Sequence, residues 1–225
     1  MKKVLITGSS DGIGKEIVKQ LDNDNYELFL FGRSEEKMNN LEVNTKHHKF
    51  IFDMLDEDKL YENLNAIKDV GGVEIVINNA GFNAGKDLVQ DIKIDDLKKM
   101  LQLNAIDYLI VIQEMIPQML EKGQGQIVNI LSSVCKFNNP NNGAYTASKL
   151  ACEALSKTLV KEVKDKGIKV LDVYPGGVDT SFRANKRQDY LRPETIAKHI
   201  VYAIENNDDG MIQEIVCRPI VESNY

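Results

Sequence analysis

The chain has 225 residues, 43% hydrophobic and 28% charged, which suits one globular domain with an adequate core. A formal net charge of −6 provides no basic field to neutralise phosphates, so a nucleic-acid partner is not expected. Three cysteines (Cys135, Cys152 and Cys217) form too sparse and odd a set for a disulfide framework and read as free thiols in a reducing compartment.

The N-terminal apolar run is too short for a signal peptide. No stretch reaches the roughly 18 apolar residues of a membrane span. The expectation is a cytoplasmic protein without a membrane partner.

Taken in order, Val4–Ile6 reads as a buried strand, and residues 13–22 carry a helical pattern. Tyr26–Phe31 is a second strand, and Ser34 can cap a helix through about Leu41. Phe50–Phe52 is a third strand, with His47 and His48 as its solvated entry rather than metal ligands. Asp56 opens a helix to about Val70, and Val73–Ile77 is a fourth strand. Asp95 starts one long helix to about Glu121, Gln126–Leu131 is a fifth strand, and a second long helix spans about 144–165. Ile168–Val173 is a sixth strand, Pro193 begins a helix to about Glu205, and Ile212–Val216 is a last strand.

Most of these strands are continuous apolar runs that alternate with helices. That pattern indicates an α/β fold with a parallel sheet covered on both faces. No linker divides residues 1–225, so one domain is expected. The irregular stretch at about 176–192 is a candidate substrate lid. Its Arg183, Lys186, Arg187 and Arg192 make it basic within an acidic chain, most simply as a solvated loop.

Thr7-Gly-Ser-Ser-Asp-Gly-Ile-Gly14 lies between the first strand and the first helix. Gly8, Gly12 and Gly14 let backbone approach a pyrophosphate at a helix N-terminus, with Ser10 and Ile13 in the same turn. The run is not a Walker loop, because Glu16 follows Gly14-Lys15 where that loop needs Ser or Thr. At the end of the second strand, Arg33 offers a guanidinium and Ser34 a hydroxyl to a phosphate, which favours NADP. Asp11, a carboxylate in the turn, favours NAD as the alternative.

Tyr145 and Lys149 stand four residues apart, on one face of the second long helix. An ammonium close to a phenol favours the phenolate, so the pair can exchange a proton with a substrate near neutral pH.

With these motifs side by side, the chain resembles the short-chain dehydrogenase/reductase family. The likeness rests on Thr7–Gly14, Asn78-Asn-Ala-Gly81, Asn104, Val128–Ser133, Tyr145 with Lys149, and Pro175–Thr180, in that order. It implies a Rossmann-like, doubly wound, three-layer α/β/α fold with strand order 3-2-1-4-5-6-7. It implies hydride transfer between nicotinamide and a ketone, aldehyde or 3-oxoacyl carbonyl, or the matching alcohol. By the same resemblance Tyr145 is the acid or base, Lys149 lowers its pKa and holds the nicotinamide ribose, and Asn104 positions a relay water.

A serine would hold the substrate oxygen. Counted from the strand end this is Ser133, the residue preferred on strand direction. Counted back thirteen residues from Tyr145 it is Ser132. Asp53 and Met54 would contact adenine, and Asn79, Ala80 and Gly81 the adenosine ribose. Pro175, Gly176, Val178 and Thr180 would lie at the nicotinamide. The resemblance further suggests a homodimer or homotetramer paired through the two long helices. A redox-sensing module that binds dinucleotide without catalysis is the alternative from another functional class.

Overall fold

Strand β2 (Tyr26–Gly32) is buried at every residue, as an apolar run without alternation must be when both faces are covered. The same logic runs through β1 (Lys2–Thr7), β4 (Ile75–Asn78), β5 (Gly125–Ile130) and β6 (Ile168–Pro175). The edges are β3 (His47–Ile51) and β7 (Glu214–Cys217). The computed structural model describes residues 1–182, 186–206 and 209–223. All seven strands are parallel in the order β3-β2-β1-β4-β5-β6-β7, as expected.

The pleat sorts the core into two layers. Val4, Ile6, Leu28, Leu30, Ile77, Val128 and Val173 pack against α1 (Gly12–Leu21) and α7 (Pro193–Glu205). Leu5, Phe29, Phe31, Val76, Ile127 and Val170 pack against α3 (Glu57–Asp69), α5 (Asp107–Lys122) and α6 (Gly143–Val163). The short α2 (Glu35–Asn39) is capped by Ser34, whose hydroxyl accepts the Lys37 N–H, and Asp56 caps α3 in the same way.

Several boundaries differ from the sequence expectation. Strand β3 begins at His47, so the two histidines are ladder residues and not a solvated entry. An edge strand paired only with β2 tolerates polar side chains. His48 stacks on Phe29 at 4.7 Å and lies 2.9 Å from Glu27 Oε1. Strand β7 begins at Glu214 rather than Ile212. The first long helix is not continuous: α4 (Ile94–Leu101) passes into a π turn, Gln102–Ile106, before α5 resumes. Among the described residues no cluster of His, Cys, Asp or Glu is arranged to hold a metal, and no helix is long and apolar enough to cross a membrane.

Asp107, just after the π turn, is fully buried. Its Oδ1 accepts from Gln102 Nε2 at 2.8 Å, while Oδ2 has no partner among the described residues. Burial pushes its carboxyl up to about 7; the Gln102 hydrogen bond opposes this, and the nearby charges of Glu57 and Asp53 add to it. An acid whose folded pKa is raised loses stability as pH climbs from its unfolded value near 4 to its folded value near 7. Asp107→Asn should therefore stabilise the protein by on the order of 2 kcal/mol at pH 8, with the gain vanishing near pH 4. Urea midpoints at the two pH values measure this, and an equal effect at both would reject a buried acid.

Candidate active site

The carboxyl ends of β1 and β4 diverge where the strand order reverses, the place where parallel α/β sheets leave a crevice. Thr7 clasps it. Its fully buried hydroxyl accepts the N–H groups of Asn79 and Ala80 at 2.9 and 3.0 Å, and the Asn79 amide donates to the carbonyls of Thr7 and Gly8. Thr7 and Asn79 thus shape the cleft with groups turned inward.

The glycine turn is tight for a stated reason. Gly8 has φ +64°, and a Cβ on Gly14 would sit 2.2 Å from the Gly8 carbonyl oxygen. Helix α1 follows, capped by Asp11, which accepts the Gly12 N–H. The next two N–H groups, Ile13 and Gly14, have no intrahelical acceptor by helix geometry and point out of the N-terminus. The cradle therefore fits a dinucleotide pyrophosphate, with Ser10 beside Gly32 at the turn.

Just past β2 stands Arg33, with a 74% exposed side chain and Asp53 only loosely paired at 3.7 Å. Asp53 also accepts the Leu55 N–H, and Met54 is buried in the α3 layer. Sequence reading missed Lys37, which projects back to pair with Asp11. Asp11 also accepts from Ser181, on the segment after β6. Burial raises the Asp11 pKa, but the hydrogen bonds from Lys37, Ser181 and Gly12 outweigh it and leave the carboxyl below its usual range. Thr180 stands at the same turn, against Gly12.

On α6, Lys149 is buried, its Nζ donating to the Ile130 carbonyl at 2.8 Å and approaching Tyr108 Oη at 3.4 Å. Burial brings its pKa down to about 8, the nearby Cys152 and Cys135 acting weakly the other way. Burial also pushes the Cys135 and Cys152 thiols up to about 11 and 12, so both are inert thiols at neutral pH. Tyr108 was not foreseen, though it lies four residues beyond Asn104.

Asn104 is fully buried in the π turn. It accepts the Phe82 N–H at 2.8 Å, donates to the Phe82 carbonyl at 2.8 Å, and donates to Ser148 Oγ at 2.9 Å. Ser148 in turn donates to the Tyr145 carbonyl at 2.8 Å. One amide thus joins the loop after β4 to the helix bearing Tyr145 and Lys149. Gly81 lies between Asn104 and Lys149: a Cβ there would stand 3.4 Å from Asn104 Oδ1 and 3.5 Å from Lys149 Nζ.

The serines lie beyond the last paired residue of β5, Ile130. Strand alternation, the ground for preferring Ser133, therefore does not reach them. Ser132 is extended and its Oγ accepts the Val134 N–H at 3.3 Å, while Ser133 starts a short 3-10 turn. No hydrogen bond is made by the Ser133 hydroxyl among the described residues.

The lid is pinned at its base. Val178 bridges Leu191, Pro175 ends β6, and the Gly176 N–H donates to the Cys217 carbonyl at 2.8 Å. Phe182 reaches within 6.1 Å of the Tyr145 ring. Arg187 is paired with Asp189 and stacked on Tyr190, so it is not an open cation. Arg183 lies outside the described residues.

The family model for short chain dehydrogenases matches residues 2–191. An uncharacterised oxidoreductase of Staphylococcus epidermidis is 30% identical over 226 residues, 97% of each chain. One from Staphylococcus aureus is 30% identical over 227 residues, again 97% of each. Among solved structures, an alcohol dehydrogenase from the archaeon Thermococcus sibiricus, complexed with 5-hydroxy-NADP, superposes with a TM-score of 0.88 at 24% identity, over 100% of this chain and 99% of that one. A serine dehydrogenase from Escherichia coli superposes with a TM-score of 0.85 at 21% identity, over 98% and 99%.

The Asn104 cross-link can be tested apart from chemistry. Asn104→Ala leaves both Phe82 backbone groups and Ser148 without their partner in a buried place. We expect a loss of about 2–4 kcal/mol in unfolding free energy. A change under about 0.5 kcal/mol by denaturant titration would reject the cross-link.

Proposed function

Because this chain belongs to the short-chain dehydrogenase family, we propose that it is an NADP(H)-dependent oxidoreductase acting on a ketone, aldehyde or 3-oxoacyl carbonyl, or the matching alcohol. The observation that carries the reading is the buried Lys149 ammonium one helical turn from Tyr145. Nothing but chemistry recommends a buried cation, since burial penalises the charge.

Bound nicotinamide dinucleotide supplies or takes the hydride. The chain supplies the rest. Tyr145 donates a proton to the carbonyl oxygen in reduction and removes it from the alcohol in oxidation. With a pKa near 8, Lys149 is mostly charged at neutral pH and favours the Tyr145 phenolate. Two of its protons go to Ile130 and Tyr108, which leaves the third for the phenol or the cofactor ribose. Asn104 acts as a positioning residue: its side chain is committed to Phe82 and Ser148, so a relay water would have to bind its main chain.

For the oxygen-holding serine the reading favours Ser132 over Ser133. Strand alternation, which recommended Ser133, stops at Ile130, and the thirteen-residue spacing to Tyr145 points to Ser132. The Ser132 Oγ is held in place by the Val134 N–H and keeps its own proton to donate to a substrate oxygen.

The NADP preference is supported by Arg33 and Lys37, two cations at the adenosine end, and by the capture of Asp11 within the turn. Asp53, Met54, Ala80 and Gly81 would line the adenosine side, and Val178 and Thr180 the nicotinamide side. Subunit pairing through α5 and α6 is supported by exposed apolar side chains at Leu120, Leu150 and Leu155. The cytoplasm is the proposed location.

Tyr145→Phe should retain dinucleotide binding while kcat for carbonyl reduction falls by about 10³. Undiminished turnover would sink the assignment, and a wild type that binds NADPH yet reduces no carbonyl would favour the non-catalytic redox module. In the same assay Ser132→Ala should cost about 10² and Ser133→Ala less than about threefold; the reverse order restores Ser133. Arg33→Ala should raise KM for NADPH roughly tenfold and leave NADH little changed. Equal effects on both cofactors would remove the phosphate role.

A further inference from the structure

Beyond β7 the chain turns back over the carboxyl edge of the sheet. The Arg218 side chain is only 7% exposed. Its guanidinium stacks on the Phe137 ring at 4.1 Å, and its Nε donates to Glu222 Oε2 at 3.0 Å. The other Glu222 oxygen accepts the Gly177 N–H at 2.7 Å. One carboxylate therefore sits between a buried guanidinium and a backbone N–H, the donor pair that recognises a carboxylate in general.

The place matters as much as the chemistry. Gly177 follows Pro175-Gly176 at the end of β6, and the Tyr190 ring covers it from the lid side. Phe137 lies one turn past Ser133, to whose carbonyl its N–H donates at 3.0 Å. The guanidinium thus stands against Phe137, in the segment that follows the serines, and beside the end of β6.

The segment that delivers Glu222 is anchored by the buried Pro219 and open beyond it. Ile220 is 97% exposed and Val221 53%, so past Pro219 little apolar area keeps the chain down. There Glu222 is held by polar contacts, which a competing carboxylate can replace. Displacing the tail then leaves no buried charge unpaired, which keeps the exchange inexpensive.

We propose that Arg218 and the Gly177 N–H form a subsite for a carboxylate on the substrate, occupied in this structure by the chain's own Glu222 as an internal competitor. The substrate class is then an oxo acid or hydroxy acid whose carboxylate is held at Arg218 while its carbonyl meets Tyr145. This rests on the oxidoreductase reading above and narrows it.

The test compares 3-oxobutanoate with its methyl ester, assayed with NADPH on the full-length wild type, Glu222→Gln, Arg218→Gln and Arg218→Lys. The readout is the ratio of kcat/KM for acid over ester. Wild type should favour the acid. Glu222→Gln keeps an acceptor for Gly177 but removes the competing charge, so the ratio should rise about three- to tenfold. Arg218→Gln should lower it about 10- to 100-fold, the worth of a charge-assisted hydrogen bond, and Arg218→Lys should recover part of the loss. A merely structural tail tie would depress acid and ester together, leave the ratio unmoved and overturn the proposal.

A second measurement separates this inference from the reading beneath it. Propionate, which has no carbonyl to reduce, is added to the NADP⁺-saturated protein and Tm is followed. A rise in wild type that grows in Glu222→Gln and disappears in Arg218→Gln supports the subsite even if no carbonyl is reduced, which would sink the oxidoreductase reading alone. Turnover with no acid preference and no propionate effect sinks the subsite alone. Neither turnover nor a propionate effect sinks both.

Discussion

A buried ammonium is the constraint on which the rest of this structure turns. Lys149 can keep its charge away from water only while dipoles stand against it, and the Ile130 carbonyl and the Tyr108 hydroxyl are those dipoles. That requires α6 to lie close to β5. A strip of buried polar groups provides the attachment. Asn78 on β4 donates to Asn129 on β5 at 3.1 Å, and Asn129 donates to Ser156 on α6 and to Asp172 on β6. Ser156 closes the ring by donating to Asp172 at 2.6 Å. Buried networks of this kind favour one packing over its neighbours because a shifted packing leaves each member unsatisfied.

A second set of cross-links serves the opposite side of the cleft. Thr7 and Asn79 lock the first turn to the strand end of β4, and Asn104 locks the loop that follows to α6. The π turn is what makes this possible. An extra residue per turn rotates Asn104 inward without ending the helix, and such bulges recur at functional positions. The glycine turn and the Tyr145–Lys149 segment are therefore held in one frame by side-chain hydrogen bonds, among them links across separations of 22 and 72 residues.

The fold was legible because parallel strands covered on both faces leave a plain record: apolar runs, helical periodicity between them, and caps such as Ser34 and Asp56 at the expected places. The motifs proposed to bind or react were legible for a different reason. The proposed chemistry demands such residue types in such an order, so Gly8, Gly12, Gly14, Tyr145 and Lys149 stand out before any contact is known. Where the reading failed, pairing had overridden local preference. His47 and His48 look like loop residues but are ladder residues, because β2 supplies the partner and Glu27 the hydrogen bond.

By itself the sequence determined the α/β layer architecture, the position of the glycine turn and the spacing of Tyr145 and Lys149, since each follows from local periodicity or from residues read along the chain, while the strand order came only through the family resemblance. Only the tertiary structure decided what these side chains touch. It bonded the Asn104 side chain to Phe82, brought Lys37 to Asp11, ended β5 before the serines, and set Glu222 against Arg218 beyond β7. Those outcomes depend on elements distant in sequence meeting at one edge of a sheet, and hydrogen-bond partners chosen across such distances leave no periodicity in the chain for a reader to find.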